Sequence, residues 1–193
     1  MKLRFLAFES VTMSEDKHIL KRLQRGDKDA LRQLYEKYTD ILVSVAVTLV
    51  HDVQTAEDCL HDAFIDFAAT VPILRIHGNL RSYLISCVAN RARDLLRKRA
   101  RSANLNVEML NPGSNADGPS DRLIADEGAR QVYGALGQLP YEQREVFVLH
   151  VQADMTFNQI AELTGASINT VQSRYRYGME KLKSLLNTEC ENE

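Results

Sequence analysis

The sequence predicts an all-α protein made of two small helical domains joined by a flexible linker, the second domain containing a helix-turn-helix. Three observations carry that prediction. Apolar residues recur at spacings of three and four along most of the 193 residues, and nothing reads as a run of alternating strands. Between Ser102 and Ser120 the stripes stop, and four Asn, two Pro and two Gly interrupt the few apolar residues left. Near the C-terminus, Gly165 stands between two amphipathic segments that each open on a capping residue.

The elements follow in chain order. Residues 1–13 read as a leader, either disordered or preceding a natural start at Met13. Ile19, Leu20 and Leu23 give a first helix that Gly26 ends as a C-cap glycine would. Asp27 restarts the chain as an N-cap, and a stripe from Ala30 through Leu34, Tyr38, Leu42 and Val45 to Leu49 predicts one long buried helix. Thr55, with Asp58 three positions on, opens the next helix, whose inner face is Leu60, Ala63, Phe64 and Phe67 until Val71-Pro72 stops it. A fourth helix spans about 80–101, with Tyr83, Leu84, Cys87, Val88, Arg91 and Leu95 on one face. These make a domain over 14–101, followed by a linker at 102–120. The linker's 19 residues reach at most roughly 63–68 Å extended, or about 25 Å root-mean-square if flexible. The second domain, 121–193, holds helices over 123–136, 141–150, 156–163 and 168–186, with Pro140 at a helix start.

Composition narrows the function. Hydrophobic residues are 45% and charged residues 26% of the chain, the proportions of an ordinary soluble globular protein. Three cysteines without a CxxC pair exclude a disulfide framework and the standard structural zinc patterns, and fit a reducing, cytoplasmic location. The longest apolar run, Ile41 to Val50, spans ten residues, short of the roughly 18 of a membrane helix, so no membrane insertion is expected. The N-terminus lacks the apolar length and cleavage site of a signal peptide. No Gly-rich phosphate loop, nucleophile elbow or catalytic carboxylate pair occurs, which leaves no catalytic residue and no cofactor to expect. His51, Cys59, His61 and Cys87 lack ligand spacing, so no metal site is expected either.

A net charge of -2 argues at first against nucleic acid, whose binding domains have a pI above about 9. The sum hides its parts. Asp52 to Asp66 carries five acids and no base, for -5, whereas Arg75 to Arg101 carries eight bases against Asp94, for +7. The basic helix can follow a nucleic-acid backbone, and His77, Asn79, Arg81 and Tyr83 offer hydrogen bonds or stacking to unpaired bases. The acidic helix can dock on a basic protein surface. Either charge run read alone is a solvated face as readily as a binding one.

The sharper pattern is TFNQIAELTGASINTVQSRYRYGMEKL. Thr156 and Gln159 form a capping box, Gly165 supplies the turn, and Ser167 caps a second helix whose Val171, Tyr175 and Leu182 pack back on the first. In a helix-turn-helix the first turns of the second helix enter the major groove, which makes Asn169, Thr170, Gln172, Ser173 and Arg176 groove-facing. Asn and Gln suit adenine edges and Arg suits guanine, while Ser167, Ser173, Arg174 and Lys181 suit phosphates. An ordinary αα-hairpin with a solvated face is the plain alternative. The turn glycine, double capping and Arg-bearing helix start favour DNA.

Together these residues resemble the extracytoplasmic-function class of bacterial sigma-70 RNA polymerase sigma factors. The resemblance runs from about Ser14 to Leu186 through LYEKY, AEDCLHDAFIDF, LRSYLISCVANRARDLLRKRAR, LPYEQREVFVLH and the helix-turn-helix. It implies a factor that binds core RNA polymerase and directs promoter recognition, DNA melting and transcription initiation. By position it implies polymerase binding at Asp58, His61, Asp62 and Phe64. It further implies a minus-10 surface over Arg75 to Arg101, where a base flips out near Asn79 and where Asn90, Arg93 and Arg97, with Lys98 beside them, contact the strand. The helix over 168–183 becomes the minus-35 reader. An anti-sigma factor is a further implied partner. The sequence departs from the family pattern at His61, where Gln is usual, at Tyr83, where Trp is common, and near Tyr177, where another Arg is usual. The alternative reading is a freestanding helix-turn-helix regulator, for which the acidic Asp52 to Asp66 helix has no evident use.

Overall fold

The computed structural model describes residues 15–74, 79–102 and 127–190. The leader, the linker beyond Ser102, residues 121–126 and His77 lie outside them. Eight α-helices occur among the described residues: α1 (15–24), α2 (Lys28–Val50), α3 (Val53–Thr70), α4 (Leu80–Ser102), α5 (Glu127–Gly137), α6 (Tyr141–Val151), α7 (Phe157–Thr164) and α8 (Ile168–Cys190), with a 3-10 turn at Val71–Ile73 and no strand. None is long and apolar enough to cross a membrane.

Local chemistry sets the helix ends. The Asp27 carboxylate accepts the Asp29 and Ala30 N–H groups, satisfying donors that the first turn leaves orphaned. α3 begins earlier than expected. Its cap is Asp52, whose carboxylate accepts the Thr55 N–H at 2.8 Å and bonds the Thr55 hydroxyl, so Thr55 is a satisfied first-turn residue rather than the opener. Both candidates precede the same apolar stripe, and a carboxylate at the helix N-terminus gains additionally from the helix dipole. At the other end of the chain, α8 continues to Cys190, past the expected stop at Leu186.

α2, α3 and α4 pack around one another, and α5, α6 and α7 gather on α8. α1 is held on α2 by Asp16, 4% exposed, which accepts the Tyr38 hydroxyl at 2.6 Å and pairs with Lys37 at 2.8 Å. The two groups were expected as separate domains, yet they share an apolar cluster that runs from Leu34, Leu42 and Leu49 across to Val148, Leu149 and Ile160. The contact explains a detail that the stripe alone leaves open. Val45 through Val50 are buried without a break, because α5 and α6 cover the side of α2 that faces away from α3 and α4. Complete burial of each Leu or Val contributes about 1.5–3 kcal/mol.

Polar groups fix the register of this junction. The Tyr133 hydroxyl donates to the Val47 carbonyl at 3.0 Å. His51 ends α2 in the left-handed region, φ 54°, and its ring lies against Tyr133 at 5.5 Å and hydrogen-bonds the Arg144 guanidinium. Burial, then the Arg144 charge, lowers His51 from 6.5 to about 3. A histidine held neutral in this way adds stability that is complete above about 6.5 and is lost progressively as pH falls toward about 3. Between about pH 7.5 and about pH 5.5 the Tm is therefore expected to fall further in the wild type than in His51→Gln. The excess is at most about 1.4 kcal/mol per pH unit below the ordinary histidine value, at roughly 2–4 °C per kcal/mol for a chain of this size. Parallel melting curves for the two proteins would remove His51 from the account.

Candidate nucleic-acid interface

α7 and α8 form the expected helix-turn-helix. The Thr156 hydroxyl accepts the Gln159 N–H at 3.3 Å while Gln159 Oε1 accepts the Thr156 N–H at 2.8 Å, closing the capping box. Ile160 and Ala161 turn inward. Gly165 takes φ 69°, the left-handed value that a tight turn requires and that a side chain resists. Ser167 Oγ accepts the Thr170 N–H at 3.1 Å as the cap of α8. Behind the motif, His150 stacks on Phe157 at 4.5 Å and Tyr175 meets His150 edge-on at 4.9 Å, so aromatic packing fixes the motif on α6.

The exposed face of α8 gathers Asn169, Gln172, Ser173 and Arg176 around one shallow concavity. The Arg176 guanidinium lies 4.9 Å from the Tyr177 ring centroid and donates to its hydroxyl at 3.2 Å. The other expected contacts divide. Thr170 and Ser167 bond each other at 2.8 Å within the cap, and Arg174 is half-buried. Lys181 donates to the Gln138 carbonyl at 2.6 Å, so it ties α8 to the turn between α5 and α6 instead of reaching out toward a phosphate.

α4 carries its cations in three settings. Arg97 and Lys98 are exposed. Arg91 bonds Asp62 on α3 through Nε at 2.9 Å and Nη2 at 2.6 Å, which cancels part of the contrast between acidic and basic helices. Arg81 and Arg93 face the second helix group: Arg81 pairs with Asp154 at 3.6 Å, and Arg93, 9% exposed, directs Nε and Nη2 at Glu145 Oε1 at 2.9 and 2.8 Å. Burial is the largest single influence on Arg93 and pulls it down, but the charge and hydrogen bond of Glu145, with Tyr141 and Asp94 behind them, together leave the guanidinium raised. Arg93 Nη1 also donates to Asn90 at 3.0 Å and to the Leu163 carbonyl at 3.3 Å. In this arrangement Arg93 is buried and turned toward the second helix group, and the half-buried Asn90 is tied to it. Asn79 is exposed, with its side-chain oxygen accepting the Arg81 N–H at 2.9 Å, and Tyr83 is half-buried against Phe67 at 6.1 Å.

On α3, Asp58 and His61 are exposed and Asp62 is half-exposed. Phe64 does not belong to that surface. It is 7% exposed and packs edge-on against Tyr35 at 4.8 Å, because it shares the inner stripe with Leu60 and Phe67. The face instead presents Ile65, 54% exposed among the acids. An apolar residue out of phase with the inner stripe was the available signal, and the sequence reading missed it.

Two family models match the chain, Sigma-70 region 2 over residues 34–102 and Sigma-70, region 4 over residues 129–182. Among curated relatives, the RNA polymerase sigma-H factor of Pseudomonas aeruginosa is 26% identical, over 91% of this chain and 96% of its own length. The ECF RNA polymerase sigma factor SigW of Bacillus subtilis is 25% identical, over 86% and 94%. Among solved structures, the sigma factor RpoE of Bartonella quintana, in complex with the anti-sigma factor NepR, has a TM-score of 0.62 at 24% identity, covering 81% of this chain and 96% of that one. CnrH in complex with the cytosolic domain of CnrY has a TM-score of 0.61 at 24% identity, covering 90% and 97%.

The cap of α8 yields a stability test. Ser167→Ala leaves the Thr170 N–H without its acceptor and is expected to cost about 1 kcal/mol, or roughly 2–4 °C in Tm, with helix content retained in circular dichroism. An unchanged Tm would show that this hydrogen bond contributes nothing net.

Proposed function

The chain belongs to the sigma-70 family of RNA polymerase sigma factors, in the extracytoplasmic-function class, and from that premise we propose how its surfaces divide the work. As a sigma factor it binds core RNA polymerase and directs promoter recognition, DNA melting and transcription initiation. The observation that carries the division is the order of surfaces along the chain: acids around exposed Ile65 on α3, exposed cations on α4, and a polar row ending in Arg176 on a capped α8. Asp58, His61, Asp62 and Ile65 meet polymerase, an apolar centre with a charged rim being the usual anatomy of a protein interface. Arg97 and Lys98 follow the backbone of the opened minus-10 strand, and Asn79 and Tyr83 meet its bases.

The start of α8 lies in the major groove of the minus-35 element, with Asn169 and Gln172 suited to adenine edges and Arg176 to guanine. Each contact is weak alone. Joined in one chain, the second becomes intramolecular and the pair binds far more tightly than either. Catalysis of RNA synthesis belongs to the polymerase, and the factor works with it in the cytoplasm. The RpoE relative was solved with an anti-sigma factor, and we take a protein of that kind as a partner here. The freestanding-regulator reading leaves the α3 surface without a use, and the sigma reading accounts for it.

The test is reconstitution. Purified protein mixed with core polymerase is expected to co-elute and to yield promoter-dependent transcript. Arg176→Ala is expected to weaken promoter binding by about 1–3 kcal/mol, roughly 5- to 150-fold, while co-elution is unchanged. Loss of polymerase binding in that variant would contradict the division of labour.

A further inference from the structure

One stripe of α4 is covered by the second helix group. Ser82, Ser86, Asn90 and Arg93 succeed one another at helical spacings of four, four and three, with Arg81 beside Ser82. The Ser82 hydroxyl donates to the Ala153 carbonyl at 2.6 Å, Ser86 to Met155 Sδ at 3.5 Å, and Arg81 pairs with Asp154 at 3.6 Å. At the end of the stripe Arg93 meets Glu145, 3% exposed, whose Oε1 also accepts the Tyr141 hydroxyl at 2.9 Å. The sequence offers Arg81 to an unpaired strand, and the family resemblance adds Asn90 and Arg93 to the same surface. A carboxylate beside a guanidinium offers what a phosphate offers, an anion with paired acceptor oxygens.

We propose that Glu145 is an intramolecular lock: with Asp154 it occupies the strand-binding groups of α4, so packing of the two helix groups and binding of single-stranded promoter DNA exclude each other. The inference rests on the reading of α4 as the strand surface. The lock is built to open, because its neighbour opposes it. Arg144, next to Glu145 on α6, is 1% exposed; among the described residues its Nε has no hydrogen-bond partner, and its guanidinium bonds His51 and the Gly137 carbonyl rather than a carboxylate. Burial lowers that guanidinium to about 10. Burial holds the Glu145 carboxyl above the usual carboxylate range despite Arg93, and lowers Arg144 despite Tyr141, Tyr133 and Glu142, so both charges gain when water reaches them and the interface that makes the pair also works against it. Polymerase or DNA that takes up the open form then draws the population over.

The experiment uses the full chain and a short fluorescein-labelled single-stranded DNA of mixed sequence, read by anisotropy, with small-angle scattering for compactness. Glu145→Gln removes the locking charge. Asp154→Asn removes the second charge at an exposed residue with φ 53°, a left-handed conformation that Asn tolerates. Strand affinity is expected to rise about tenfold in Glu145→Gln and about threefold in Asp154→Asn, both with a larger radius of gyration, since apparent affinity scales with the competent fraction. Arg97→Ala is expected to weaken binding in every background. Wild-type affinity and compactness in both unlocked variants, with Arg97→Ala still weakening binding, would overturn the lock and leave the strand surface standing. No effect of Arg97→Ala would instead remove the strand surface, and the lock with it. If Glu145→Gln loses helical signal, Asp154→Asn decides by itself, because that side chain supports no core packing.

Discussion

The architecture depends on one constraint, that the last turns of α2 have no solvent side. Val45 through Val50 are buried consecutively, a pattern that a helix with one partner cannot satisfy, so a second layer must close over the face that α3 and α4 leave open. α5 and α6 provide that layer, and the polar contacts between the two helix groups follow from it. Tyr133 bonds the Val47 carbonyl, His51 meets Arg144, and α4 comes within reach of Glu145.

Much of this was legible in the sequence because it is local. The Asp27 cap, the Thr156 and Gln159 box, the left-handed Gly165 and the stripe from Ala30 to Leu49 each involve residues within a few turns of one another. Their spacing encodes them directly. What stayed hidden is non-local. Nothing in a charge run says which cations turn toward solvent, and Arg93 and Glu145 lie 52 positions apart. The polymerase-facing set failed at Phe64 because the resemblance placed it by position in the motif, while the inner stripe, visible in the same residues, already claimed it for the core. The uneven result for the candidate site has the same origin: Asn169, Gln172, Ser173 and Arg176 sit on one short helical surface, whereas the α4 set is divided by a contact across the fold.

The near-zero net charge also takes on a different meaning. It reflects pairing inside the molecule as well as a division of surfaces. Arg91 with Asp62, Arg93 with Glu145 and Arg81 with Asp154 each bring an α4 cation to an acid of another element. The packed protein therefore shows polyanions a weaker field than its basic helix would alone, which limits encounters with bulk DNA, since such binding is dominated by uncompensated phosphate contacts.

Gly137, at the end of α5, invites a different lesson. It closes α5 without a positive φ; the reason for glycine is room, because a Cβ there would stand 2.7 Å from Cε1 of His51. Gly178 on α8 offers a contrast, its nearest neighbour 3.4 Å from where a Cβ would sit. A single methyl group at position 137 is therefore a wedge between the two helix groups. It would act at a distance from the residues assigned to DNA or polymerase, so the resting shape of the molecule can drift in evolution, or be adjusted by design, with its promoter-reading surface left untouched.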